Sequence, residues 1–161
     1  PSKWTDITGG IQRSSLVKIV GPLAQGNTNV SATGENSHAQ GALTQAIGTG
    51  SHAEGYSSTA NGIYSHAEGE STQATNIGAH AEGFLTEASG QYSHAEGRDT
   101  LAFMTGSHAE GLSTQARGLY SHAEGNGTIA SGSYSHSEGE STQAFGIGSH
   151  AEGLNTFASG A

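Results

Sequence analysis

Small residues and large polar ones alternate along this chain in a pattern that repeats at a fixed interval. From Ser37 onward the sequence divides into fourteen-residue units that open at Ser37, Ser51, Ser65, Ala79, Ser93, Ser107, Ser121, Ser135 and Ser149, with no insertion between them. Positions one, three and five of a unit hold Ser, Ala and Gly, whereas positions two and four hold His and Glu. Successive side chains of an extended strand point to opposite faces, so the small residues share one face and the His and Glu residues the other. Positions eight, ten and twelve supply a second small-residue stripe, Thr-x-Ala-x-Gly. Gly recurs too often for a helix. The spacing therefore predicts two short strands per unit, with corners near positions six to seven and thirteen to fourteen. Self-similarity at a fixed period marks a solenoid. The predicted fold is all-β: a flattened parallel β-roll with two short strands per 14-residue turn and Ser, Ala, Gly and Thr inside. At about 4.8 Å per turn, nine turns make a rod of roughly 43 Å.

Composition changes what must hold such a rod together. Leu, Ile, Val and Phe make up only 23 of 161 residues, and the net charge is -9. That combination normally signals disorder, but the unbroken register overrides it. A core of such small side chains buries little apolar area, so a lone roll gains modest stability and one outer face is expected to be covered. There is no Cys, which excludes disulfides and thiolate chemistry. No apolar run reaches the roughly 20 residues of a membrane span, and the start lacks the layout of a signal peptide, so no membrane insertion is expected. The acidic balance argues against a nucleic-acid partner.

The chemistry lies in two columns. Position two is His38, His52, His66, His80, His94, His108, His122, His136 and His150, which are all nine histidines. Position four is Gln40, then Glu54, Glu68, Glu82, Glu96, Glu110, Glu124, Glu138 and Glu152. Positions seven, nine and eleven vary without common chemistry, as solvent permits. The constant columns mean that every turn meets the same environment, and a rank meeting itself through a rotation axis is the simplest such environment. His and Glu two apart could also ligate zinc or nickel, but a nine-fold recurrence favours structural pairing, and neither a metal nor a cofactor is assigned. No Ser-His-Asp constellation stands out and no catalytic residue is assigned; the chain reads as a non-enzyme. The Thr column from Thr72 to Thr156 could suggest an ice-binding array, yet it shares a face with the constant Ala and is expected to point inward and bond backbone. At position fourteen Tyr64, Tyr92, Tyr120 and Tyr134 interleave with Gly50, Gly78, Gly106 and Gly148. These rings are expected to pack at a corner over Gly, with carbohydrate stacking the functional alternative.

Ser-His-Ala-Glu-Gly followed by Thr-x-Ala-x-Gly at this period resembles the YadA-like head repeats of trimeric autotransporter adhesins and related phage or prophage tail-fibre and tailspike proteins. The resemblance covers residues 37 to 161. It implies a left-handed parallel β-roll, an intertwined homotrimer, and a role in adhesion or fibre architecture toward a host or cell-surface receptor, glycans included. The implied location is a phage virion tail fibre or a bacterial cell surface. One departure stands out: those heads put apolar residues toward the three-fold axis where this chain has His and Glu. The expectation is a trimer interface made of the nine histidines and eight glutamates, each imidazole donating to a carboxylate of a neighbouring chain. Those carboxylates are expected to raise the histidine pKa in the folded state.

The ends differ from the array. Pro22, Leu23, Ala24, Gln25 and Gly26 look like a degenerate copy of Ser37 to Gly41 set fifteen residues earlier, followed by Val30, Ala32 and Gly34 in the second stripe. The roll is thus expected over 23-161, phased from 37. Residues 1-22 are expected to form an N-terminal cap or attachment segment, with a strand from Ser15 to Val20, apolar cover from Trp4, Ile7 and Ile11, and a turn at Gly9 and Gly10. The chain stops mid-repeat, which suggests a fragment or a cleaved product.

Overall fold

The computed structural model describes residues 23–160, so the expected capping segment 1–22, with its strand and its glycine turn, lies outside the described residues. Longer strands alternate with two-residue strands, from β1 (Leu23–Thr28) and β2 (Ser31–Ala32) to β19 (His150–Leu154) and β20 (Phe157–Ala158). The odd-numbered strands form one ten-stranded sheet and the even-numbered strands another. All pairing is parallel and joins neighbouring turns, as in β11 (His94–Arg98) on β13 (His108–Leu112), where His94 faces His108 and Glu96 faces Glu110. The molecule is a parallel β-solenoid with two short strands per turn, as the fourteen-residue period predicts.

The degenerate opening copy is a genuine first turn. Leu23 pairs with His38 and Gly26 with Gly41, fifteen residues on, and the offset returns to fourteen at Thr28 and Ala42. One extra residue is absorbed as a β-bulge.

Packing inside the roll uses very small groups. The Ala residues of positions three and ten are buried, and so are the Ser of position one and the Thr of position eight in most turns. Thr is the largest fully buried side chain among the described residues. The Thr column therefore points inward, as expected, and offers solvent no hydroxyl rank for ice. Its expected backbone bonds, however, are missing in most turns. Ser58 Oγ reaches Gly69 O and Thr156 Oγ1 reaches Glu152 O, each at 2.9 Å, but the hydroxyls of Thr44, Thr72, Thr86, Thr100, Thr114 and Thr128 have no partner, and the position-three residue of their turns is Ala. Where that residue is Ser137, its Oγ lies 2.7 Å from Thr142 Oγ1. An unmade buried hydrogen bond costs about 1–3 kcal/mol. Thr100→Val should accordingly raise the urea midpoint, by about 1 kcal/mol of stability, whereas Thr142→Val should lower it by a similar amount because it strands Ser137. Equal shifts in the two variants would refute this account of the core.

The corners close by a device that the sequence pattern did not reveal. The backbone N–H of position one donates to the carbonyl of position twelve, as Ser65 does to Gly62 at 3.2 Å. The serine hydroxyl bonds the same carbonyl, with Ser65 Oγ to Gly62 O at 2.7 Å and Ser93 Oγ to Gly90 O at 2.7 Å. In the unit where Ala79 replaces that Ser, Asn76 takes over the corner: its Oδ1 accepts from Ile77 N at 2.9 Å and its Nδ2 donates to Ser89 O at 3.2 Å. Positions seven and fourteen adopt left-handed backbone, for example Ser57 (φ 59) and Tyr64 (φ 57). Each also donates to the preceding turn, Ser57 N to Ala42 O and Tyr64 N to Thr49 O. Position seven is thus a corner residue, where the spacing predicts one. Left-handed backbone is unfavourable for residues with a Cβ, and the ladder continuing around the bend offsets that cost.

A second correction concerns the glycines of position five. They do not fill the interior. Most of them are exposed, with φ between 101 and 124 from Gly41 to Gly153, and each from Gly41 to Gly139 carries the strand past the next turn at close range. A Cβ on Gly97 would lie 2.2 Å from the Gly111 carbonyl oxygen.

Candidate binding face: the histidine and glutamate columns

Strand alternation puts His and Glu on the outer face of the odd-numbered sheet, opposite the buried Ser and Ala. Because the register is uniform, identical side chains fall on top of one another. The imidazoles form a continuous stack from His38 to His150, with centroids 4.6 to 4.8 Å apart. Past the first pair, the rings are within 7° of parallel.

Each ring from His52 to His150 sits beside the carboxylate two residues on. Nε2 to Oε2 is 3.4 Å for His52 and Glu54, 3.7 Å for His66 and Glu68, 3.3 Å for His80 and Glu82 and 3.4 Å for His94 and Glu96. The distances for the pairs that begin at His108, His122, His136 and His150 are 3.7, 3.9, 3.7 and 3.8 Å. His136 also reaches Glu124 at 3.6 Å. None of these is a formed hydrogen bond. Nε2 is buried and unpartnered in His38, His52, His66, His80, His94, His108, His122 and His136. The His and Glu columns thus form a ladder in which the acid of the ring's own turn is the near neighbour from His52 to His122 and at His150, while His136 lies slightly nearer to Glu124 than to Glu138.

The electrostatics of the single chain have the opposite sign to those expected for an assembled trimer. His66, His80, His94, His108 and His122 have pKa values below the ordinary imidazole value of 6.5, not above it. Burial is the main cause, because taking a cation from water is costly. Repulsion from the next imidazole in the stack comes second, and the flanking glutamates only partly oppose the two. Within one chain the rings above and below each imidazole, together with burial, outweigh the acids beside it; the raised values were expected for carboxylates brought by neighbouring chains. Burial and the stacking thus favour the neutral form of these five imidazoles.

Beside the Glu column the position-five glycines open a shallow groove of about 700 Å³, lined by Glu96, Glu110, Glu124 and Glu138 with Gly111 and Gly125 among its glycines. The face is therefore polar, acidic along one edge and indented.

The tyrosines occupy one corner, and Tyr64, Tyr92, Tyr120 and Tyr134 are 55 to 70% exposed. A Cβ on Gly50, Gly78 or Gly106 would lie within 2.7 Å of the Tyr one turn on, so ring and Gly do alternate by contact. Adjacent rings are nevertheless tolerated, since Tyr120 and Tyr134 stack with centroids 5.6 Å apart. The left-handed corner and the serine turn clasp were the features missed from sequence; the recurrence of Gly and Asn36 at position fourteen was their available signal.

No protein-family model matches this chain, and no curated protein matches it.

Proposed function

We propose that this chain is a structural and adhesive fibre module, a rigid rod that assembles as a homotrimer and presents a receptor-binding surface. The observation that carries this reading is the rank of unpartnered Nε2 atoms beside the Glu column. Leaving such atoms buried without a bond costs about 1–3 kcal/mol apiece, and the small-residue interior offers little to offset it. Further chains packed against this face, around a common axis, would supply donors and acceptors at every turn because every turn is alike. The resemblance of the repeat to YadA-like adhesin heads and tail-fibre proteins points the same way, and with it come the left-handed coil, the intertwining and a place on a phage tail fibre or a bacterial surface. The variable outward residues and the exposed tyrosine corner are then the receptor-facing parts, glycans being the class that aromatic faces suit.

Light scattering on the full chain tests the assembly. The expected mass is three times the 16.2 kDa of one chain. A protein that stays at single-chain mass at micromolar concentration would refute the trimer. Glu96→Lys combined with Glu110→Lys, on the proposed interface, should lower the mass toward one chain, whereas Gln115→Lys on the other sheet should not.

A further inference from the structure

We propose that three His–Glu–His triads, His80/Glu82/His94, His108/Glu110/His122 and His136/Glu138/His150, each bind one divalent transition-metal ion of the zinc or nickel class. In each triad one ligand atom per residue lies within 4.8 Å of the other two. Within one chain the Nε2 atoms of five of these six histidines are without a hydrogen-bond partner, so an ion competes only with the contacts between chains proposed above. Two imidazole nitrogens and one carboxylate oxygen form a borderline donor set that suits zinc, nickel or copper, whereas calcium and magnesium demand shells of oxygen.

The geometry also says how the site must close. Metal–ligand bonds of about 2.0–2.2 Å require ligand atoms closer together than they stand here. Parallel rings aim their lone pairs side by side. One ring of each pair must therefore tilt out of the stack and the carboxylate must swing in, motions that half-exposed side chains can make about their own torsions.

Sharing of rings fixes the count. His94/Glu96/His108 is a fourth cluster of the same kind, but it takes its imidazoles from two other triads. It cannot fill together with them. Occupying alternate turns also sets neighbouring ions about two turn heights, roughly 9.6 Å, apart, which halves their repulsion relative to adjacent turns. All three ligands of each site come from one chain.

The test is titration of the full, tag-free chain with zinc or nickel chloride, followed calorimetrically, and with cobalt followed by its visible absorption. Saturation at three ions per chain is expected. Glu110→Gln should reduce this to two, while Glu96→Gln, whose cluster is excluded by its neighbours, should leave three; circular dichroism of both variants verifies the fold. Stoichiometry that follows the number of histidines, indifference to Glu110→Gln, or no saturable binding below millimolar metal would overturn the proposal. Light scattering of the same samples in EDTA reports the trimer separately, so one reading can fail without the other.

Discussion

Gly97→Ala will cost the fold about 3–5 kcal/mol, the sum of left-handed strain and overpacking against backbone. Gly97 has φ +106, and its added Cβ would stand 2.2 Å from the carbonyl oxygen of Gly111. A backbone oxygen held in a ladder cannot step aside as a flexible side chain could. The neighbouring turns repeat the arrangement, with 2.1 Å at Gly83 and 2.2 Å at Gly111, so the strain has nowhere to relax along the rod. Gly118 at position twelve is the informative control. Its Cβ would also meet a carbonyl, that of Gly132 at 2.0 Å. Yet Asn76 and Met104 occupy the equivalent position in two other turns, and the left-handed term is absent. Gly118→Ala should therefore cost clearly less. Urea denaturation of both variants gives the comparison; a Gly97→Ala protein no less stable than Gly118→Ala would contradict the close approach at position five.

Acidification will weaken the fold through the imidazole stack. Folding depresses the pKa of His66, His80, His94, His108 and His122 below 6.5, first by burial and then by repulsion between neighbouring rings. The unfolded chain then binds more protons than the folded one in the window below 6.5. Stability is complete above that value and is lost as pH falls from it through the lower folded values, after which these groups add no further slope. Five rings act with the same sign, so their effects accumulate. The urea midpoint should hold steady from pH 8 to about 7 and drop on the way to pH 5. A midpoint that rises over the same interval would mean that the carboxylates dominate after all. His94→Gln should flatten the drop by removing one proton site and one repulsive neighbour on each side.

Much of this molecule was legible before its structure. Recurrence of Ser-His-Ala-Glu-Gly, altered at one residue in three of the nine units, gave the turn length, because only a uniform register returns the same pattern every fourteen residues. Alternation gave the faces, since Ala95 and Glu96 must point oppositely on any strand. Even the offset of fifteen between Leu23 and His38 could be read, and it is the bulge of the first turn. Other features depend on distances that no pattern states. Tyr64 carries a strand-forming side chain yet sits in left-handed backbone at a corner. Thr100 faces inward as expected but meets Ala, so its hydroxyl goes unpaired.

The linear order of residues settled the period, the two small-residue stripes, and the gathering of all nine histidines and their acids on one sheet, because alternation and repetition are local properties that add up turn by turn. The spatial arrangement alone decided the sign of the histidine pKa shifts and the openness of the position-five glycines. Desolvation and the fields of rings stacked 4.6 to 4.8 Å above and below arise between turns, and a Cβ is barred at Gly97 by an oxygen fourteen residues away.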